Sequence, residues 1–531
     1  MGGPARRLYL IGCGPSEAAR GPVEELGFKA YNLARLARLG VPVPPAFVLG
    51  TGWCRAFRVR GGTLPEETPA ELVAALRHIE AASGLGFGSS RRPLLVSVRS
   101  GAPVSMPGMM ETVLNVGLAE STLPGLLRLT GNPRLVWDSY RRLIESYAEV
   151  VAGLAAETFA AARRDALAAA GVATLQELDF RSLRELAGRE LELCAAAGRP
   201  FPQAPAEQLE RAVAAVLRSW DGPKARWYRA AHAIDDEAGT AVTVQRMVFG
   251  NAGGTSGAGV GFTRDPATGA AQLYVDYAPN AQGEDVVAGR TGLESDGLER
   301  LPEAARDELA ELAQLLEHEF RDAQEFEFTI ENGELFVLQT RAAKRTPLAA
   351  LAIAVALGEA GLVTPAEARA RVAALDPQRL ATPELAGAAA ATPLASGVPA
   401  SIGVAAGAAV FEPARAIQRA RAGEAVILLR EDVATADIAA LEAATGLVAA
   451  RGARTAHAAV IARQLGKACV VGCTQLAIDA GGRAGRLGAT RITEGEPLTV
   501  DGGTGHVYAG LLPLRHRQPQ ELLARLAALG R

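Results

Sequence analysis

From Glu120 to about Asp235 the sequence is rich in Ala, Leu, Glu and Arg at helical spacing, clearest in QLERAVAAVLRSW at Gln208 to Trp220, while short β-like runs lie on either side. A helical block set inside β-containing sequence forms layers of its own, so the chain must divide into several packed units. Its 531 residues point the same way, since roughly three or four domains of ordinary size fill that length. Before the block, LYLIG, AFVLG and LLVSVRS alternate with helical patterns such as YNLARLARLG, which suggests an α/β or α+β domain. After it, TVQRMVFG, GVGFTRDP, QLYVDYAP, EFEFTIENG and ELFVLQTR are separated by glycine-rich or Asn-Gly turns, which predicts a sheet built largely from hairpins. A helical stretch beginning TPLAALAIAVALGEAG runs into Ala381 to Ser401, where Ala, Pro and Gly dominate and a linker is expected. Beyond it, AVILL, GLVAA, ACVVG and PLTV alternate with turns and a helix near His457, as in a compact α/β domain ending near Leu512 with one short helical tail after it. The expected divisions are 1–120, 121–239, 240–345, 346–394, 395–512 and 513–531.

Bulk chemistry excludes several classes. Hydrophobic residues at 49% and charged residues at 21% suit globular domains. The 55 basic and 58 acidic residues lack the cationic excess that nucleic acid rewards, so no nucleic-acid partner is expected. The five cysteines are scattered, and CVVGC has neither redox nor zinc spacing, which fits a reducing cytoplasm. The run LYLIGCG is too brief for a signal-peptide core and the stretch Leu348 to Gly358 too short to span a bilayer, so no membrane association is expected.

Several segments carry chemistry-bearing residues. The early IGCGPSE lacks the third small residue of a dinucleotide fingerprint, since Glu17 stands there. The stretch FGNAGGTSGAGVGFTRDP between two predicted strands reads either as a hairpin loop or as a lid whose backbone N–H groups cover phosphates. Arg99 ends an apolar strand before a loop with Gly101, Pro103, Pro107 and Gly108, a placement suited to bidentate phosphate recognition, although a lone arginine is more often a surface ion pair. Glu325 and Glu327 are two apart on one predicted strand and Gln339 and Arg341 two apart on the next, across an Asn332-Gly333 turn. One hairpin face can thus present two carboxylates, an amide and a guanidinium, either to Mg²⁺ and nucleotide phosphates or to solvent as cross-strand ion pairs. Among six histidines, His457 follows a glycine-containing turn and a capping-type Thr455 and opens an Ala-rich helical pattern. A helix N-terminus binds phosphate and favours neutral, nucleophilic imidazole, although an exposed or satisfied structural histidine is ordinarily the commoner case.

Taken together, these segments resemble pyruvate phosphate dikinase and, more distantly, phosphoenolpyruvate synthase, from about Tyr9 to Leu512. The likeness rests on GFKAYNLARLARLGVPVPPAFVL, SVRSGAPVSMPGMMETVLNVGL, FPQAPAEQLERAVAAVLRSW, DDEAGTAVTVQRMVFGN, NAQGEDVVAG, RDAQEFEFTIENGELFVLQTR and the segment around His457, all in the family's order. It implies a multidomain α+β chain: an ATP-grasp nucleotide-binding domain with a helical insert, followed by an α/β swivelling phosphohistidine domain. It makes Lys29, Arg99, Gln245, Glu284, Gln339 and Arg341 nucleotide ligands and Glu325, Glu327 and Gln339 metal ligands. Arg99, Arg341, Thr455 and His457 become the catalytic set. The implied reaction consumes ATP with Mg²⁺ and phosphate as co-substrate, and His457 attacks the β-phosphoryl group. The family usually has Asp where Glu325 stands, Ala453 replaces a common glycine, and RTAH is closer to the synthase. The family also continues into a phosphoenolpyruvate/pyruvate barrel not contained in these residues, so a separate acceptor protein is expected, with a homodimer left open. Two other readings compete: a phosphotransferase for another small molecule, as in rifampin phosphotransferases, for whose large middle domain residues 346–394 leave no room, and a non-catalytic ATP-sensing phosphocarrier or regulatory protein.

Overall fold

The computed structural model describes residues 7–12, 20–104, 106, 109–287, 297–375, 380–386, 391–433, 437–452, 454, 457–479 and 481–530; the side chains of residues 284, 287 and 457 lie outside that description. The chain forms two compact units, residues 1–253 with 334–340, and residues 254–333 with 341–531. No helix among the described residues is long and apolar enough to cross a membrane.

In the first unit, β1 (Leu8–Ile11), β2 (Ala46–Leu49), β3 (Val96–Gly101), β4 (Thr112–Val116) and β5 (Ala241–Arg246) make one sheet in the order β1-β2-β5-β3-β4. Strand β5 comes from TVQRMVFG, which the sequence placed in the later sheet. It is central here because Val242 and Val244 complete an apolar face with Phe47, Leu49, Val96 and Val98. Helix α1 (Val23–Arg38) packs on β1, β2, β3 and β5, its acidic first turn (Glu24, Glu25) and basic last turn (Arg35, Arg38) complementing the helix dipole.

The helical block includes α2 (Pro133–Val150), α3 (Phe180–Ala196) and α4 (Pro205–Ser219). Asn132 starts α2 by accepting the Leu135 N–H at 3.0 Å, and Asp179 starts α3 by accepting the Ser182 N–H at 2.8 Å. Between α2 and α3 lies a buried charge cluster in which Arg141 bonds Glu145 at 2.8 Å and Asp138 at 3.2 Å, and Arg163 bonds Glu145 at 2.8 Å. Glu190 of α3 is 0% exposed beside Glu145. Burial, with the Glu145 charge adding to it, pushes the Glu190 carboxyl up to about 10, so it stays protonated at neutral pH.

Strands β6 (Gly257–Phe262), β7 (Tyr274–Pro279) and β8 (Gln324–Glu331) of the second unit form a sheet with β9 (Glu334–Ala342), whose residues 334–340 are counted with the first, in the order β9-β8-β6-β7. Asn332 and Gly333 make the expected two-residue turn, with φ of 53° and 87°. Strands β5 and β6, flanking the glycine-rich stretch, lie in different sheets, so that stretch is not a hairpin loop. The glycines of β6 serve packing: a Cβ at Gly259 would sit 2.4 Å from the Phe328 ring and one at Gly261 2.3 Å from the Phe326 ring. Helix α5 (Pro347–Glu359), capped by Thr346, follows.

The described residues of the expected linker contain three strands, β10 (Thr382–Leu385), β11 (Ala395–Ser396) and β12 (Val398–Ser401). With β11 and β12 go β13 (Val404–Val410), β14 (Val426–Arg430), β15 (Gly446–Ala449), β16 (Ala468–Val471), β17 (Pro497–Asp501) and β18 (His506–Ala509). They form an eight-stranded sheet in the order β11-β18-β17-β13-β14-β15-β16-β12. Its centre, β13 to β16, is parallel, with apolar residues buried on both faces. Helix α6 (His457–Leu465) connects β15 to β16. The tail folds back rather than standing off: β19 (Leu514–Arg517) pairs with β10, and α7 (Gln520–Ala528) packs on α5, where Arg525 donates to Glu359 at 2.9 and 2.6 Å.

The Glu190 environment makes stability depend on pH. Its folded value lies above the ordinary carboxylate value of 4.5, so the stability tied to its proton is full below that value and is lost as pH rises towards about 10. Urea unfolding should therefore show the wild type losing stability into the alkaline range more steeply than Glu190→Gln. Parallel pH profiles would show that Glu190 carries no buried proton.

Candidate active site

The first unit holds Lys29, Arg99, Gln245 and Gln339. Strand register places Arg99 opposite Thr243 and Ser97 opposite Gln245, so these four side chains share the sheet face away from the valine core. Arg99 is half-buried, and its guanidinium makes no ion pair or hydrogen bond among the described residues. The neighbouring Thr243 hydroxyl is buried without a hydrogen-bond partner among the described residues. A cation and an unused hydroxyl on one strand pair are donors suited to an anionic ligand. Gln245 is 2% exposed and donates its amide to the Pro44 carbonyl at 3.1 Å, so it braces the β2 entry.

Lys29 is exposed near the start of α1, just after Gly27 breaks the helix with φ 72° and ψ 155°. The break lets α1 cross the end of β3: the Phe28 N–H donates to the Ala102 carbonyl at 2.8 Å, and a Cβ at Gly27 would lie 2.0 Å from the Gly101 carbonyl oxygen. Lys29 and Arg99 are thereby tied to one backbone crossing. Gln339 is half-buried on β9.

In the second unit, Glu325 is 4% exposed and accepts a hydrogen bond from Arg341 in an ion pair. Burial alone would lower the Arg341 guanidinium, but the charge and hydrogen bond of Glu325, with the charge of Glu327, more than offset it and raise it. The Arg341 Nε remains buried without a hydrogen-bond partner among the described residues. Register sets Glu325, Phe262 and Tyr274 in one row across the sheet and Glu327, Val260 and Asp276 in the next, so Asp276 joins the two glutamates on one face. Tyr274 donates its hydroxyl to Asp276 at 2.9 Å. Burial raises that hydroxyl above its ordinary value, Asp276 adds to the rise, and Arg454 opposes it.

Among the described residues no group of three or more His, Cys, Asp or Glu side chains is arranged as a metal cage. The donor set that is present, carboxylate oxygens of Glu325 and Glu327 on one face with a guanidinium beside them, fits Mg²⁺. That ion is ordinarily held by one or two carboxylates together with substrate phosphates rather than by an all-protein cage. A cavity of about 1000 Å³ lies elsewhere, beside β10 and β19, lined by residues that include Glu384 and His516, and none of the expected ligands borders it.

The helix pattern is met at His457, whose backbone opens α6; its side chain and all of Thr455 lie outside the described residues. Ala453 is likewise outside them, as is the side chain of Glu284, whose backbone lies in the short helix Gly283–Val287. Helix α6 carries a further residue that no sequence motif marks. Arg463 is 1% exposed, donates to the Ala400 carbonyl at 3.0 Å, and stands 5.8 Å from the Phe262 ring centroid. Arg454 stands 4.9 Å from the Tyr274 ring centroid. Tyr274, Asp276, Arg454 and Arg463 were legible only as strand, loop and helix residues, because strand register and packing bring them to one face.

Residues 56–296 match the family described as pyruvate phosphate dikinase, AMP/ATP-binding domain, and residues 422–505 match PEP-utilising enzyme, mobile domain. The chain is 40% identical to pyruvate, phosphate dikinase of Rhizobium meliloti over 524 residues, covering 96% of this chain and 58% of that protein. It is 43% identical to pyruvate, phosphate dikinase of Clostridium symbiosum over 490 residues, covering 91% and 56%. Against the chloroplastic pyruvate, phosphate dikinase 1 of Zea mays it is 40% identical over 513 residues, covering 96% and 54%. The chain thus spans a little over half the length of the curated relatives it matches.

Two substitutions separate ligand contacts from scaffold. Arg341→Met strips the buried Glu325 of its cation and should lower stability by roughly 2 to 3 kcal/mol, the partly exposed guanidinium softening the full cost of breaking a buried pair. Glu327→Gln should lower the thermal midpoint less, since the Glu327 charge gives Arg341 a smaller part of its support than Glu325 does. Equal midpoints for both variants would contradict the pairing. Gly27→Ala places a Cβ into the β3 crossing at positive φ and should cost at least about 1 to 2 kcal/mol from backbone conformation alone. Calorimetry checks it, and an unchanged midpoint would mean that α1 crosses β3 differently.

Proposed function

We propose, from a chain that resembles pyruvate phosphate dikinase in both its nucleotide-binding and its mobile domain, that the protein transfers the β-phosphoryl group of ATP to His457. One observation carries the reading: a carboxylate and guanidinium face lies in the same compact unit as the helix that His457 opens, and that helix is seated on it through Arg463. The nucleotide-binding part is read as an ATP-grasp domain and residues 395–512 as a swivelling phosphohistidine domain.

In this reading Lys29, Arg99 and Arg341 bring positive charge to the phosphates, and Gln339 orients them. Glu325 and Glu327 hold Mg²⁺, which when bound supplies charge neutralisation at the phosphate oxygens. Glu325 then exchanges part of its pairing with Arg341 for the ligand, freeing guanidinium N–H groups for phosphate. Neutral His457 attacks the β-phosphorus, a nitrogen–phosphorus bond forms, and the bond to the bridging oxygen breaks with its electron pair leaving on AMP. Inorganic phosphate takes the terminal phosphoryl group as pyrophosphate, leaving phosphohistidine. Most of the rate comes from positioning and charge stabilisation, as for other phosphoryl transfers. Gln245 has a bracing role. The acceptor is pyruvate, reached when the 395–512 domain carries the phosphohistidine to a site on a further domain or a separate protein.

ATP labelled at the β-phosphate should, with Mg²⁺ and phosphate, label the protein in an acid-labile, alkali-stable form, and His457→Asn should abolish labelling. Scintillation counting of the isolated protein checks this. Label that persists in the variant would place the acceptor elsewhere.

A further inference from the structure

Two arginines that flank His457 in sequence, Arg454 ahead of helix α6 and Arg463 within it, meet the β6-β7-β8 sheet. Both act on the single cross-strand row Glu325, Phe262, Tyr274. Arg454 lies over the Tyr274 ring at one end of that row, and Arg463 lies over the central Phe262. Arg463 is shielded from solvent with the Phe262 ring beside it, and the charges of Glu325 and Asp276 on the sheet are within electrostatic reach of its own.

A fully buried guanidinium is an expensive way to fill space. Among the described residues only one of its donor atoms, Nη1, is matched, to the Ala400 carbonyl, while its Nε and Nη2 have no hydrogen-bond partner there, and the Nε of Arg454 is in the same state. A methionine would pack α6 against its own sheet without that cost. What the arginine adds is charge placed over an aromatic ring and beside carboxylates of a different sheet. Cation–π attraction strengthens when the pair is desolvated, so such contacts hold a docked position and vanish once the surfaces separate.

We propose that Arg454 and Arg463 are positioning residues that clamp the phosphohistidine helix onto the carboxylate face of the nucleotide-binding sheet, with Tyr274 and Phe262 as the receiving surfaces. The clamp rests on the proposed function for its purpose but not for its existence. Because the two arginines bracket His457 along the chain, they fix the histidine's approach at both sides without touching the transferred group. Both contacts are lost when the domain leaves, which confines their effect to the first half of the reaction.

The test uses the full chain and two readouts. Energy transfer between dyes on cysteines introduced at the exposed Glu303 and Glu412 reads the docked fraction with no chemistry involved. The rate of labelling from β-labelled ATP at saturating nucleotide reads the consequence, alongside ATP affinity by titration. Arg454→Met and Arg463→Met should each lower energy transfer and slow labelling about tenfold, with ATP affinity unchanged. Combining Arg454→Met with Tyr274→Leu should add no further loss, since both remove the same contact. Arg454 is the less buried of the two, so its variant serves if Arg463→Met does not fold. Wild-type energy transfer in a folded variant, additive losses in the cycle, or a parallel fall in ATP affinity would overturn the clamp. Lower energy transfer in the variants of a chain that never labels would uphold the clamp and remove the proposed reaction instead.

Discussion

The ion pair between Glu325 and Arg341 is the interaction on which the second unit's site depends. A carboxylate that is 4% exposed must have a cation close by, and the guanidinium comes from the adjoining strand of the same hairpin. That requirement holds β8 and β9 in register, which in turn fixes Glu327 two residues along the same face. Through β6 and β7 the face extends to Phe262, Tyr274 and Asp276, and the glycines of β6 let aromatic rings lie flat on the opposite side. The pair is also reversible chemistry. Either partner can trade some of its electrostatic support for a metal ion or a phosphate without being left alone in a buried place.

Much of this was readable from local chemistry. The Asn332-Gly333 turn, the caps at Asn132 and Asp179 and the start of α6 at His457 are each set by a few neighbouring residues, so sequence pattern suffices. Spacing by two likewise put Glu325 and Glu327 on one face. The failures were all long-range. Nothing local says that Val242 and Val244 join Phe47 and Val96 rather than the glycine-rich strand that follows, because the deciding factor is a shared apolar face. The Ala- and Pro-rich stretch read as linker holds strands because β10 finds β19, more than a hundred residues on.

The candidate site divides in the same way. Arg99 stood out in sequence at its strand end, and the structure leaves its guanidinium available among the described residues, beside a buried hydroxyl of Thr243. Gln245 entered only through family likeness, and its bond to Pro44 gives it a scaffold task. Arg454, Arg463, Tyr274 and Asp276 belong to segments with no distinctive spacing. Their significance appears only when the α6 helix and the sheet are seen packed within one unit.

The central claim is that this chain moves the β-phosphoryl group rather than the terminal one, and the nucleotide left behind tests it most directly. In a single turnover with enzyme in excess over ATP, in the presence of Mg²⁺ and phosphate, chromatography should find AMP in step with phosphohistidine and no ADP. ADP as the product, with AMP absent, would mean ordinary terminal phosphoryl transfer and would contradict the account.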